Sequence, residues 1–184
     1  MSRSEPTFDA IVVGSGAAGS WAAKELTEAG LKVVVLEAGR NLDVSLDFPA
    51  DATVGAAGMV GRARAALRGQ PVQAKCAAFS ETTKQFYVND KSNPYTTPRG
   101  MPFLWYRGRQ LGGRLHTWSR HVPRMSNYEF KAASLRGCGV DWPLSYEDLA
   151  PYYDVVERTL GVYGMPAGIA NCPDGHFIGP AKTT

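Results

Sequence analysis

The sequence predicts an α/β fold, an incomplete parallel sheet followed by loops and C-terminal helices. Three local patterns carry that expectation. Phe8 to Val13 is a short β-branched apolar run ending in glycine, Ala17 to Ala29 is alanine-rich and free of proline, and Lys32 to Leu36 is a second β-branched run. Strand, helix and strand thus follow within about thirty residues, with Gly30 placed as the C-cap of the helix. Between the first strand and the helix stands Gly14-Ser15-Gly16-Ala17-Ala18-Gly19, a G-x-G-x-x-G pattern in the context that gives it a mechanism. Residues 1–40 therefore read as a Rossmann-like βαβ dinucleotide-binding unit.

Composition fits a globular chain. The 184 residues are 44% hydrophobic and 20% charged with a formal charge of +3, which excludes disordered and collagen-like classes. Cys76, Cys138 and Cys172 are widely spaced and odd in number, so they form no disulfide framework, and no Cys/His spacing suits zinc. A reduced, cytoplasmic setting is expected. Glu5 and Asp9 precede the first short apolar run, unlike a signal peptide, and no run approaches the roughly 18 apolar residues of a membrane span. Export on a signal-bearing partner stays compatible with both facts.

Residues 41–163 form the remainder of the region. Within them Ala57 to Leu67 reads as a helix weakened by Gly58 and Gly61, and Gln85 to Val88 as a short strand. Ser145 with Asp148 has the form of a capping box; Pro151 then begins a second helical stretch to Leu160, stopped by Gly161. Leu149, Tyr153, Val156 and Leu160 fall on one apolar stripe. Residues 164–184 hold four glycines and three prolines and read as a loop-like tail.

The chemistry starts at the glycines. Gly14 allows the tight turn, Gly16 lets a pyrophosphate approach the backbone, and Gly19 lets helix and strand pack closely. The helix N-terminus then offers free N–H groups, including those of Ala17 and Ala18, to a diphosphate. Glu37 ends the second strand, where a carboxylate accepts hydrogen bonds from ribose hydroxyls and repels a 2′-phosphate. An unphosphorylated adenine dinucleotide follows, and FAD and NAD both satisfy it. The Glu37-Ala38-Gly39 run, with the glycine loop so near the N-terminus, is similar to FAD-containing oxidoreductases.

A second feature is electrostatic. From Lys91 to Asn127 there are seven basic residues (Lys91, Arg99, Arg107, Arg109, Arg114, Arg120, Arg124) and no Asp or Glu. Such a run suits a solvated face, a nucleic-acid patch or a small anion. Here the arginines alternate with glycines and Trp105 through Leu111-Gly112-Gly113, which favours a tight backbone site for a phosphate.

Gly108-Arg109-Gln110-Leu111-Gly112-Gly113 resembles the first signature of the glucose-methanol-choline (GMC) oxidoreductases. The resemblance extends through Asn93-Pro94-Tyr95, Phe103-Leu104-Trp105, Trp118-Ser119-Arg120 and the segment Asp141 to Asp154, and is closest to the bacterial sugar and gluconate dehydrogenase-like branch. It implies FAD as cofactor and places Arg109, Gly112, Gly113, Arg114 and Trp118 along it, beside Gly14, Ser15, Gly16, Ala17, Ala18, Gly19, Glu37 and Ala38. Many members carry two small hydroxyl residues where this chain has Arg114 and Leu115. Thr117 takes the position at which some relatives carry a histidine joined to FAD, so the cofactor is expected to be non-covalent. His116, one residue away, is expected to be solvent-bonded. His121 and His176 lack a partner at catalytic or metal spacing. The acids Asp141, Glu147, Asp148 and Asp154 belong to a segment read as structural rather than catalytic, in which Ser145 and Asp148 cap a helix, Trp142 and the tyrosines pack, and no histidine is at hand as a general base.

The resemblance further implies hydride transfer from the CH–OH carbon of an alcohol, sugar or polyol to the flavin, with a histidine base near the C-terminus of a much longer chain. The 184 residues are accordingly expected to be an N-terminal FAD-binding fragment, inactive alone and completed by a missing C-terminal half, with no catalytic residue of its own. No nucleic-acid partner and no membrane span are expected. The alternatives are an NAD-dependent Rossmann dehydrogenase and a non-catalytic basic binding module.

Overall fold

A computed structural model of the chain describes residues 6–48, 58–137 and 139–180; Cys138 and Ala57 lie outside them. The chain divides into two compact units, Met1–Ser119 and Arg120–Thr184. This division falls inside the stretch 41–163.

The first unit opens with β1 (Ala10–Val13), α1 (Ala17–Glu28) and β2 (Val33–Leu36). The two strands pair in parallel, Ala10 opposite Val33 through Val13 opposite Leu36. A parallel pair needs a crossover, and α1 supplies it. Its end is a Schellman motif: the Gly30 N–H donates to the Thr27 carbonyl and the Leu31 N–H to the Leu26 carbonyl, with Gly30 at φ +86°. Asp9 then ties the strand entries together, its carboxylate accepting from the Lys32 N–H at 2.8 Å. The fold class is the Rossmann-like α/β arrangement expected, with a small two-stranded sheet and helices.

The sheet is not the core of this unit. Val12 is buried, whereas Ile11, Val13 and Leu36 are more than half exposed. The buried cluster lies further along the chain, in Ala65, Ala74, Cys76, Phe79 and Tyr87. Helix α2 (Val44–Asp47) is capped by Asp43, and α3 (Met59–Leu67) contributes Ala65 to the cluster. Arg62 on α3 fans hydrogen bonds onto the Ala74, Cys76 and Phe79 carbonyls at 2.7–3.1 Å, which fixes the loop over the core. Gln73 is fully buried, and its amide donates to Asp90 and to the Trp105 carbonyl while accepting the Arg107 N–H. The strand expected at Gln85 to Val88 does not form. Lys84–Phe86 is a 3-10 turn, and Val88 makes one backbone bond, to the Arg107 carbonyl, so no ladder exists to sustain a strand.

In the second unit, α4 (Asn127–Phe130) and α5 (Ala132–Arg136) precede α6 (Tyr146–Leu160). The Ser145–Asp148 capping box is present and Gly161 ends α6 at φ +68°. Pro151, however, does not start a second helix; it sits inside a continuous one. Its fixed φ is helical, but the position gives up one N–H bond and brings the proline ring up against the carbonyl four residues back. The deepest residue of α6 is not on the apolar stripe but is Glu157, 3% exposed. Arg124 donates to both Glu157 oxygens at 2.8 and 2.6 Å, to Asp154 at 2.5 Å and to the Tyr146 hydroxyl at 3.0 Å. The tail is irregular but anchored: the His176 N–H also donates to Glu157, and Ile178 N–H to the Val162 carbonyl. Among the described residues no helix is long and apolar enough to cross a membrane.

Candidate functional site at the glycine loops

Two loops far apart in sequence meet in the first unit. The loop after β1 ends at Gly16, the N-cap of α1, and no side chain caps that helix start. Its first N–H groups are therefore orphan donors at the positive end of the helix. A Cβ on Gly19 would overlap the Gly14 carbonyl, so glycine there serves helix–strand packing. Gly16 differs. It has φ −70°, which any residue adopts, and a Cβ on it would meet nothing within 4 Å. No described residue fills the space a side chain there would take.

The second loop, Gly108 to Gly113, docks on the first. The Gly112 N–H donates to the Ser15 hydroxyl at 2.9 Å, and the Leu111 N–H to the Arg40 carbonyl at 2.9 Å. Arg40 and Gln110 form a parallel bridge, and a Cβ on Gly39 would overlap the Gln110 backbone nitrogen. Gly112 has φ +80°, and Gly113 is close enough to Gly16 that an added Cβ would lie 3.4 Å from its Cα. Behind this loop the His116 ring nitrogen bonds the Leu111 carbonyl at 2.9 Å, with Phe86 and Phe48 centroids 5.6 and 5.7 Å away. His116 is thus held by the protein rather than by solvent. The Gly-Gly turn leaves space for its ring, since a Cβ on Gly112 would come within 2.6 Å of it.

Glu37 is the hub of the contact. One carboxylate oxygen accepts from the Ser15 hydroxyl at 2.6 Å and the Ser15 N–H at 2.9 Å, and the other from the Gly39 N–H at 2.6 Å. These donors, the Ser15 hydroxyl first, hold its carboxyl below the usual range, so it is ionised at neutral pH.

An open pocket of about 470 Å³ lies over the loop. Gly14, Gly16, Ala17, Ala18 and Gly19 line one side, and Arg114 and Trp118 the other. Of the remaining residues expected to line a cofactor, Ser15 is buried beneath the loop, Glu37 and Ala38 directly follow β2, and Gly112 and Gly113 form the docking turn. Arg109 points elsewhere: it donates to the Ala38 carbonyl at 3.2 Å and to the Asn93 side chain at 2.8 Å, and lines a different pocket. His116 and Gln110 are the positioning residues that sequence patterns missed. Their contacts are with the Leu111 and Gly113 carbonyls and with two phenylalanine rings, and no residue spacing announces a bond to a backbone carbonyl or a ring contact across the fold.

Residues 12–43 match the family model described as an NAD(P)-binding Rossmann-like domain. Over 164 residues the chain is 30% identical to paromamine 6′-oxidase of Streptomyces fradiae, covering 88% of this chain and 24% of that protein. It is 28% identical to 2-methyl-1,2-propanediol dehydrogenase of Mycolicibacterium austroafricanum over 95% of the chain and 28% of that protein. Fructose dehydrogenase large subunit of Gluconobacter japonicus is 26% identical, over 98% and 30% respectively. The chain is related to GMC-type oxidoreductases. The chain spans from 24% to 30% of the length of those curated relatives.

Proposed function

We propose that the chain binds FAD non-covalently in the pocket over the β1–α1 loop, as the dinucleotide-binding part of an oxidoreductase acting on the CH–OH group of an alcohol or sugar. The observation that carries this is Gly16: an uncapped helix start, an unstrained backbone and open space where a side chain would fit. Serine or aspartate would cap a helix at that position only about a few tenths of a kcal/mol better than glycine does, but each would set a side chain over the free N–H groups. A residue that forgoes this and leaves the N–H groups clear suits a diphosphate laid against the backbone.

The other residues fit the same ligand. Ionised Glu37 directly follows β2, where the ribose of such a dinucleotide falls, and disfavours a 2′-phosphate. Arg114 adds positive charge across the pocket, and the exposed ring of Trp118 offers an apolar surface to a flat ring system. Thr117 carries no imidazole, and His116 is occupied by Leu111, which supports non-covalent attachment. When bound, the flavin would supply the hydride acceptor; the residues named here bind and orient it. No described residue is assigned the role of proton-abstracting base. Among the described histidines, His116 is engaged with a carbonyl, while His121 and His176 are exposed in the second unit.

The test is a titration of the 184-residue chain with FAD, followed by flavin fluorescence quenching, with NADH in parallel. FAD is expected to bind and to be released by denaturation. Gly16→Asp, which puts a carboxylate against the diphosphate in a space the fold leaves open, is expected to weaken binding about a hundredfold or more, equivalent to roughly 3 kcal/mol. Quenching by NADH with none by FAD would transfer the site to a nicotinamide cofactor.

A further inference from the structure

The acid-free basic run does not converge on the loop pocket. Of its seven residues only Arg114 lines it. A second pocket of about 300 Å³ carries Arg107, Arg109 and Arg114 together, with Asn93, Trp105 and Tyr106, and no Asp or Glu on its wall. None of these arginines has a carboxylate partner among the described residues. Arg107 donates to the Asn93 carbonyl, Arg109 to Asn93 and Ala38, and Arg114 to the Tyr106 carbonyl at 2.7 Å. Neutral acceptors orient the guanidinium groups but leave their charge uncompensated.

Arg107 is the most constrained. Its guanidinium lies 4.6 Å from the Trp105 ring centroid and 5.1 Å from that of Tyr95, and its Nε–H is buried with no hydrogen-bond partner. Tyr95 is itself fixed, its hydroxyl donating to the Phe103 carbonyl and accepting the Trp105 N–H. A buried orphan donor is uncommon and costly. Three like charges around one concavity add mutual repulsion, which an anion between them relieves. The planar fork of arginine, already held by aromatic stacking, loses little freedom when it takes up a carboxylate or phosphate.

We infer that this arginine pocket is a second anion site, which takes the carboxylate or phosphate group of a small molecule beside the dinucleotide pocket. It goes beyond the proposed cofactor site, with which it shares Arg114. A nucleic-acid surface fits less well. The pocket is small and concave, and the basic run does not offer a continuous free face, because Arg124 is consumed by Glu157 and Asp154.

The experiment is calorimetric titration of the full 184-residue chain with inorganic phosphate and, separately, acetate at constant ionic strength. Arginine Nε–H signals are followed by NMR alongside. Binding of either probe with shifts at Arg107 and Arg109 is expected, and the tighter probe assigns the group as phosphate ester or carboxylic acid. Arg109→Gln and Arg107→Gln should each weaken binding roughly tenfold or more, the loss of one charge-assisted contact. Gly16→Asp should leave it intact while weakening FAD binding about a hundredfold or more, which separates this site from the cofactor site. No binding of either probe overturns the inference. So does binding that survives both arginine substitutions but is lost in Gly16→Asp, since the anion would then sit at the start of α1. If the arginine variants do not fold, the wild-type Nε–H shifts alone decide.

Discussion

Arg124 and Arg107 belong to one acid-free run of sequence yet end in opposite electrostatic states. Arg124 is 7% exposed and holds two carboxylates and a phenol, all from α6. Those partners raise its affinity for the proton still further, Glu157 most of all. Arg107 is flanked by rings and carbonyls and keeps an unpaired Nε–H. The difference teaches that charge balance in a folded chain is settled by residues about thirty positions away. One end of the run is a structural tie, the other an open receptor for charge.

The largest effect should come from breaking the tie. Glu157→Ala leaves the Arg124 guanidinium buried with only Asp154 as an anion, and is expected to destabilise the second unit by about 3–5 kcal/mol. Urea unfolding followed through Trp142, which packs edge-on against Phe130 at 6.3 Å, measures it. The double variant Arg124→Met, Glu157→Leu should recover much of the loss, because two apolar groups leave no buried charge. Equal losses in the single and double variants would show that shape, not charge, sets the cost.

A smaller effect is expected at the open end. Gln73→Leu strands the Arg107 N–H and the Trp105 carbonyl and removes the side-chain donor to Asp90 Oδ1, while the backbone bonds to Asp90 Oδ2 remain, at about 2–3 kcal/mol. It should also loosen Arg107, so Trp105 fluorescence should change in the folded state. An unaltered spectrum would mean that the ring stack, not Gln73, positions Arg107.

The smallest effect is acid-dependent and sits in the first unit. The Arg40 guanidinium, aided by the Asp43 N–H, lowers the Asp47 carboxyl from 3.8 to about 2. A depressed carboxyl contributes stability above its unfolded value and loses it as pH falls through its folded value. The stability difference between wild type and Asp47→Asn should thus be constant above about pH 4 and vanish towards the folded value of about 2. A difference that persists unchanged at the acid end would assign Asp47 a purely steric role.

What sequence patterns revealed was local. The βαβ unit, the Gly30 stop and the Ser145 cap involve neighbours within a few positions, and helical or strand periodicity reports such neighbours directly. Gly14, Gly16 and Gly19 were legible for the same reason, since strand, turn and helix adjoin. Gln73 was not: its partners are Asp90, Trp105 and Arg107, and a buried amide has no periodic signature. Nor was Glu157, whose place on α6 resembles that of any solvent-facing acid until Arg124 arrives. Pro151 misled because a proline at the start of a helix and one inside it share the same φ. His116 was read as solvent-bonded because nothing near it in sequence announces Phe48 and Phe86 as its walls.

The bond from Gly112 to Ser15 spans 97 positions, and that from Arg109 to Ala38 spans 71. The buried cluster around Phe79 lies between those ends in sequence. Bringing two loops together across so long a stretch carries an entropic toll that short-range helices never meet. The pocket over the β1–α1 loop is therefore expected to be among the last parts of the first unit to assemble, because its two lips close only once the intervening chain is compact. A ligand that bridges those lips acts as a latch on the finished structure, slowing its opening more than it hastens its formation.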